Sequence, residues 1–130
     1  MVEDMEKLLV ILHKLREIRG RTRFQKIVFL LKEKDCINFR YNFIPYYYGP
    51  YSYDLQFDIN ILEAAGLIQV MPQNDILYVH SLTREGEIAA VKIEQKMSNA
   101  EKKKLFKALK GYKTRSTASL ISEAKKMTKI

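Results

Sequence analysis

The chain of 130 residues has one cysteine, two histidines, three prolines and five scattered glycines. A lone cysteine, Cys36, excludes an intrachain disulfide and fits a reducing compartment. A Cys/His metal site needs about four ligands at regular spacing, and Cys36, His13 and His80 do not provide them. No glycine-rich loop of the phosphate-cradling kind is present. Nothing in the sequence orients a Cys36/His dyad. Asp54 and Asp58, four apart on one helix, read as a solvated edge rather than an acid–base pair. The chain therefore reads as a non-enzyme with neither cofactor nor metal. No apolar run approaches the roughly 20 residues of a membrane span. Met1-Val2-Glu3-Asp4 is acidic where a signal peptide is basic. The expectation is a cytoplasmic protein with no membrane partner.

Cations are missing from the middle of the chain. Between Arg40 and Arg84 there is no Lys or Arg, while Asp54, Asp58, Glu63 and Asp75 are present. The net charge is +8, and residues 92–130 carry 12 Lys/Arg against three acids, a local balance of +9. Such asymmetry points to an anionic partner. The alternative is a solvated, lysine-rich helical surface.

Periodicity places a first helix over residues 4–19, with Leu8, Leu12 and Leu15 on one stripe and Gly20 as its stop. Thr22-Arg-Phe-Gln25 has capping-box spacing and opens a second helix running to about Lys34. Phe39, Tyr41 and Phe43 alternate with polar residues as in a half-buried strand. Pro45 and Gly49-Pro50 punctuate a tyrosine-rich turn, and Ser52 is an N-cap for a third helix ending at Gly66. Residues 67–70 and 76–79 read as a hairpin. Thr83 then caps a fourth helix, Ser98-Asn-Ala-Glu101 opens a fifth that Gly111 stops, and Ser116 or Thr117 starts a sixth.

The implied fold is α+β and mainly helical: a winged-helix-like core of three helices, a β-hairpin wing and an aromatic strand, with additional C-terminal helices. It reads as one domain over 1–130, with its core at 4–97 and a basic helical extension at 98–130. Arg23-Phe-Gln-Lys-Ile-Val-Phe-Leu-Leu31, the turn Tyr46-Tyr47-Tyr48-Gly49-Pro50-Tyr51-Ser52, and Leu62-Glu-Ala-Ala-Gly-Leu-Ile68 carry a resemblance. With these residues the chain resembles the YwgA-like proteins of bacteria and archaea and is more distantly similar to the Panacea (SocA-like) antitoxin domain. The resemblance implies a winged-helix-like fold without catalysis. For the Panacea relatives it also implies capture of a partner protein, often a toxin. Those proteins commonly have Gly-Pro-Val at the turn, where this chain has Gly49-Pro50-Tyr51.

Two sets of candidate site residues follow. In the third helix, Leu55, Ile59 and Leu62 form one apolar stripe and Tyr53, Phe57, Ile61 and Ala64 another on nearly the opposite side. A helix apolar on both faces is buried on both or offers one to a partner, so a homodimer is also among the expected assemblies. Tyr46, Tyr47, Tyr48, Tyr51 and Tyr53 lie within eight positions and suit a protein interface; packing under the wing is the alternative. The second set is basic: Arg21, Arg23 and Lys26 at the start of the second helix, then Lys103, Lys107, Lys110, Lys113 and Arg115, extended by Lys125, Lys126 and Lys129. Lysines would hold a nucleic-acid backbone without reading bases. The expected function is a regulator or adaptor that binds a partner protein through the tyrosine turn and third helix, with weakly specific attraction for nucleic acid. The alternative is a dimeric winged-helix DNA-binding transcriptional regulator.

Overall fold

Helix formation at the N-terminus begins with a reciprocal cap between Glu3 and Glu6 and ends sooner than the periodicity implies. A computed structural model describes residues 2–128. In it, α1 spans Asp4–Leu15, and Arg16 follows with a left-handed φ of 74°. That conformation is uncommon for a residue with a Cβ. It turns the chain into β1 (Glu17–Arg19), three residues that the sequence assigns to the first helix. Gly20, at φ 100°, then starts α2 (Arg21–Glu33). No side chain caps this helix, so the expected Thr22–Gln25 box does not form; Gln25 is fully buried and used elsewhere.

The segment read as an aromatic strand is extended but joins no sheet. Its only pairing among the described residues is an isolated bridge between Ile44 and Tyr51. The alternation itself is real: Ile37, Phe39 and Tyr41 are buried, while Asn38, Arg40 and Asn42 face solvent. Beyond it lie α3 (Tyr53–Ala64), capped by the Ser52 hydroxyl, which accepts from the Leu55 N–H at 3.2 Å, then β2 (Ile68–Pro72) and β3 (Tyr78–Leu82). The Thr83 hydroxyl accepts from Gly86 and starts α4 (Arg84–Lys96). The Ser98 hydroxyl accepts from Glu101 and starts α5 (Asn99–Lys113), which runs through Gly111 instead of stopping there. The last helix, α6, covers Thr117–Thr128.

Among the described residues there are thus six helices and a three-stranded antiparallel sheet in the order β1-β3-β2. Ile18 sits opposite His80, and Val70 flanks His80 from the other side. The core centres on α1 and α2, whose residues 7–12 and 24–31 are buried without interruption. Helices apolar all round belong inside, and neighbours cover both: α4, α5 and the sheet on α1, and α6 and β1 on α2. Residues 98–130 do more than append a flank, because Leu105, Leu109, Tyr112, Leu120 and Ala124 belong to the same buried cluster. Burying a leucine fully contributes about 2 kcal/mol. No helix among the described residues is long and apolar enough to cross a membrane.

Two helical glycines behave oppositely. A Cβ on Gly86 would lie 2.0 Å from the Leu67 carbonyl oxygen, because α4 begins directly against the corner between α3 and β2. A Cβ on Gly111 meets nothing within 4 Å. Gly86→Ala is expected to destabilise by about 3 kcal/mol or more through a backbone clash. Gly111→Ala is expected to stabilise by about 0.5–1 kcal/mol, the ordinary helix gain. Urea melts of the two variants check both signs.

Candidate functional site

The tyrosine turn is held from beneath by two polar side chains of α2. Gln25 and Lys26 point inward among apolar neighbours, and each meets the backbone of the turn. The Gln25 carboxamide donates to the Ser52 carbonyl at 2.9 Å and accepts from the Ser52 N–H at 2.8 Å, as a neighbouring strand would. The Lys26 ammonium donates to the Pro50 carbonyl at 2.8 Å. Gly49, at φ 99°, lies between Lys26 and Lys125 of α6; a Cβ there would come 3.2 Å from the Lys26 side chain. Burial, and secondarily Lys125, push the Lys26 ammonium down to about 8.

Other lysines repeat the pattern upstream. Lys7 is buried and donates to the Asn38 carbonyl, and Lys32 donates to that of Tyr41. At the rim, Lys104 reaches the Cys36 carbonyl at 3.4 Å. The extended segment has no strand beside it, so ammonium groups satisfy its carbonyls.

On this support the aromatic rings form a continuous ladder. Tyr47 meets Tyr46 at 5.7 Å between centroids, Tyr46 meets Tyr51 at 5.2 Å, and Tyr51 meets Tyr53 at 5.1 Å. Tyr53, Phe57 and Ile61 then continue along one side of α3. Tyr47 is 84% exposed, Tyr48 62%, Tyr53 61% and Phe57 64%. Tyr46 and Ile61 are exposed as well, and Tyr51 is half-buried. The opposite stripe, Leu55, Ile59 and Leu62, is buried. The rings therefore line the surface instead of packing under the hairpin. Asp54 and Glu63 flank the face; Asp58 accepts a hydrogen bond from the buried Tyr41 at 2.6 Å.

The basic candidates divide. Lys103, Lys107, Lys110 and Lys113 are exposed along α5, opposite the buried Leu105, Leu109 and Tyr112. Arg21 is exposed and lies over the Tyr78 ring at 4.5 Å. Arg23 is half-buried and donates to the Tyr112 carbonyl at 3.0 Å and the Thr117 hydroxyl at 3.3 Å. Lys26 is withdrawn from the surface altogether, which removes it from the nucleic-acid set. Arg115 pairs with Glu123 and also bonds Ser119, so its charge is largely committed within the fold. Lys125 and Lys126 are exposed; Lys129 lies outside the described residues.

Among the described residues, no group of three or more His, Cys, Asp or Glu side chains could hold a metal ion. His80 is buried at 5.2 Å from the Phe24 ring, and desolvation keeps its pKa below the usual histidine value. Cys36 is exposed, in a left-handed conformation after α2. The residues that sequence reasoning missed are Gln25 and Lys26 as supports of the turn. Their signal was a polar pair within an otherwise buried run, Phe24–Leu31.

Two predictions follow from these supports. Gln25→Leu leaves the buried Ser52 N–H unpaired and its carbonyl with the Gln56 N–H alone at 3.3 Å, and is expected to cost about 1–3 kcal/mol in urea denaturation. For Lys26, the folded chain releases its proton near pH 8, whereas the unfolded chain holds it to about 10.4. The cost of the buried charge is therefore fully present below pH 8 and fades as pH rises between those values. Wild-type stability relative to Lys26→Met should climb across that window, at up to roughly 1.4 kcal/mol per pH unit. Paired denaturation curves from pH 7 to 9.5 check this.

No family model matches the chain, and no curated protein or solved structure matches it with significance. The likeness to the YwgA-like and Panacea families is carried by the quoted residues alone.

Proposed function

We propose that the chain is a winged-helix-like adaptor or regulator, without catalytic activity, that binds a partner protein through the tyrosine turn and the outer face of α3. The order helix, strand, helix, helix, hairpin supports the fold reading, with β1 alongside β3. The likeness of the turn to YwgA-like proteins agrees with it. One observation carries the functional reading: the exposed ring ladder from Tyr47 to Tyr53 that continues into Phe57 and Ile61.

In a winged-helix DNA reader, this third helix faces the major groove. Phosphate neutralisation then dominates affinity, and Arg or Lys makes the commonest base contact. Here the exposed face of α3 offers aromatic rings, Ile61, Asp54 and Glu63 and no cation. Aromatic anchors within a polar rim suit a protein partner. The lysines of α5 supply a separate, weakly specific attraction for nucleic acid.

The test is affinity capture from the native host with full-length wild type and the Phe57→Glu/Ile61→Glu variant. Both substituted side chains are exposed, so the melting temperature should stay within about 2 °C of wild type. The expected result is a stoichiometric protein partner that the variant loses. Capture unchanged by the variant sinks the reading. A footprint at a defined duplex site, lost with the same substitutions, favours the DNA-binding regulator instead.

A further inference from the structure

Two surface depressions meet where α2 begins, sharing Arg19, Arg23 and Thr117. One, of about 400 Å³, extends to Glu17, Ser116 and Lys113 at the corner between α5 and α6. The other, of about 430 Å³, extends past Arg21 and Thr22 to Ile76, Leu77 and Tyr78 of the hairpin. Together they form one open trough crossing three parts of the fold.

The charge in this trough is largely uncompensated. Among the described residues, no carboxylate lies within 4.0 Å of the side-chain nitrogens of Arg21, Arg23 or Lys113. Glu17, the one acid lining either depression, is held by Arg19 at 2.6 Å. Arg23 donates to Thr117 and to the Tyr112 and Lys113 carbonyls. A guanidinium has five N–H groups, so donors remain for a ligand. Burial disfavours the Arg23 charge, and only neutral oxygens offset that cost until an anion arrives. Beside it, Arg21 is exposed and its guanidinium lies over the Tyr78 ring, 4.5 Å from the centroid.

We propose that this trough binds single-stranded nucleic acid, with backbone phosphates between Arg23, Lys113 and the Thr117 hydroxyl and an unpaired base stacked on Arg21. The site deepens the nucleic-acid part of the reading above and rests on it, but moves the contact from the α5 lysine row to the start of α2. An open trough with cations spread along it fits a run of phosphates better than one small anion. Stacking on a guanidinium plane requires a base free of its duplex partner. The exposed Ile76 gives the hairpin end of the trough an apolar surface for a second base.

Fluorescence anisotropy of a labelled oligothymidylate against full-length protein, over a salt series, tests this. Arg21→Ala/Lys113→Ala changes two exposed side chains and should weaken binding at least about tenfold at low salt. It should also flatten the slope of log K against log salt by about 0.7, the one phosphate contact that Lys113 makes on a single strand. Tyr78→Leu should weaken binding while leaving that slope unchanged, because it removes the ring beneath Arg21 and no charge. Lys103→Ala/Lys107→Ala/Lys110→Ala should bind within about threefold of wild type if the trough carries the contact.

If the row variant loses binding and the trough variant does not, the trough is overturned and attraction by the α5 flank stands. If wild type binds no oligonucleotide, both the trough and the flank reading fall. A matched duplex bound as tightly as the single strand overturns the stacked-base assignment. Thermal melts of each variant exclude loss of fold as the cause.

Discussion

A lysine ammonium donating to a backbone carbonyl is the interaction on which the path of the chain between α2 and α3 depends. Residues 37–43 pass over the central helices in extended form with no strand beside them and lead into the tyrosine turn. Buried carbonyls need partners, and Lys7, Lys32 and Lys26 provide them at Asn38, Tyr41 and Pro50. A hydrogen bond from a charged donor contributes about 1.5–3 kcal/mol, which at Lys26 is offset by the cost of burying its charge. These bonds let Ile37, Phe39 and Tyr41 cover the core while the chain remains free to turn outward at Tyr46. The Gln25–Ser52 pair completes the arrangement, fixing the point where the turn becomes α3.

This changes the meaning of the chain's charge. Composition alone suggests a strongly basic surface, yet Lys7, Lys26 and Lys32 face inward, and Arg115 is tied to Glu123. Exposed cations line the outer side of α5 and the trough at the start of α2, with others on α4 and α6. The outer side of α3 has none, and its aromatic residues occupy the surface instead. Charge and apolar surface are thus segregated onto different elements, which suits two kinds of contact that do not compete.

Much of the architecture was legible because its signals are local. Ser52, Thr83 and Ser98 cap helices just where a short polar side chain precedes an apolar period, and the hairpin is marked by turn residues between β-branched runs. The two-sided apolar pattern of the third helix correctly separated Leu55, Ile59 and Leu62 from Tyr53, Phe57 and Ile61. β1 was hidden because Glu17-Ile-Arg19 continues a helical period and its partner, Val79–Ser81, is remote in sequence. The break before it rests on a left-handed arginine, a position that no glycine announces. The aromatic alternation at 39–43 reported burial faithfully but could not say whether a strand lay alongside. Gln25 was legible as a polar residue near a helix start, and its spacing suggested a cap; only the fold brings Ser52 within reach. Gly111 lies on an exposed side of α5, where nothing forces a stop.

The ring ladder has an optical consequence. The chain has eight tyrosines and no tryptophan, so its near-ultraviolet emission comes from phenol rings alone. Four of those tyrosines, Tyr46, Tyr47, Tyr51 and Tyr53, have neighbouring centroids 5.1–5.7 Å apart. At such separations excitation passes from ring to ring, and the turn emits as a coupled group. Whatever covers it changes a signal native to the protein, making the proposed contact face its own label-free reporter.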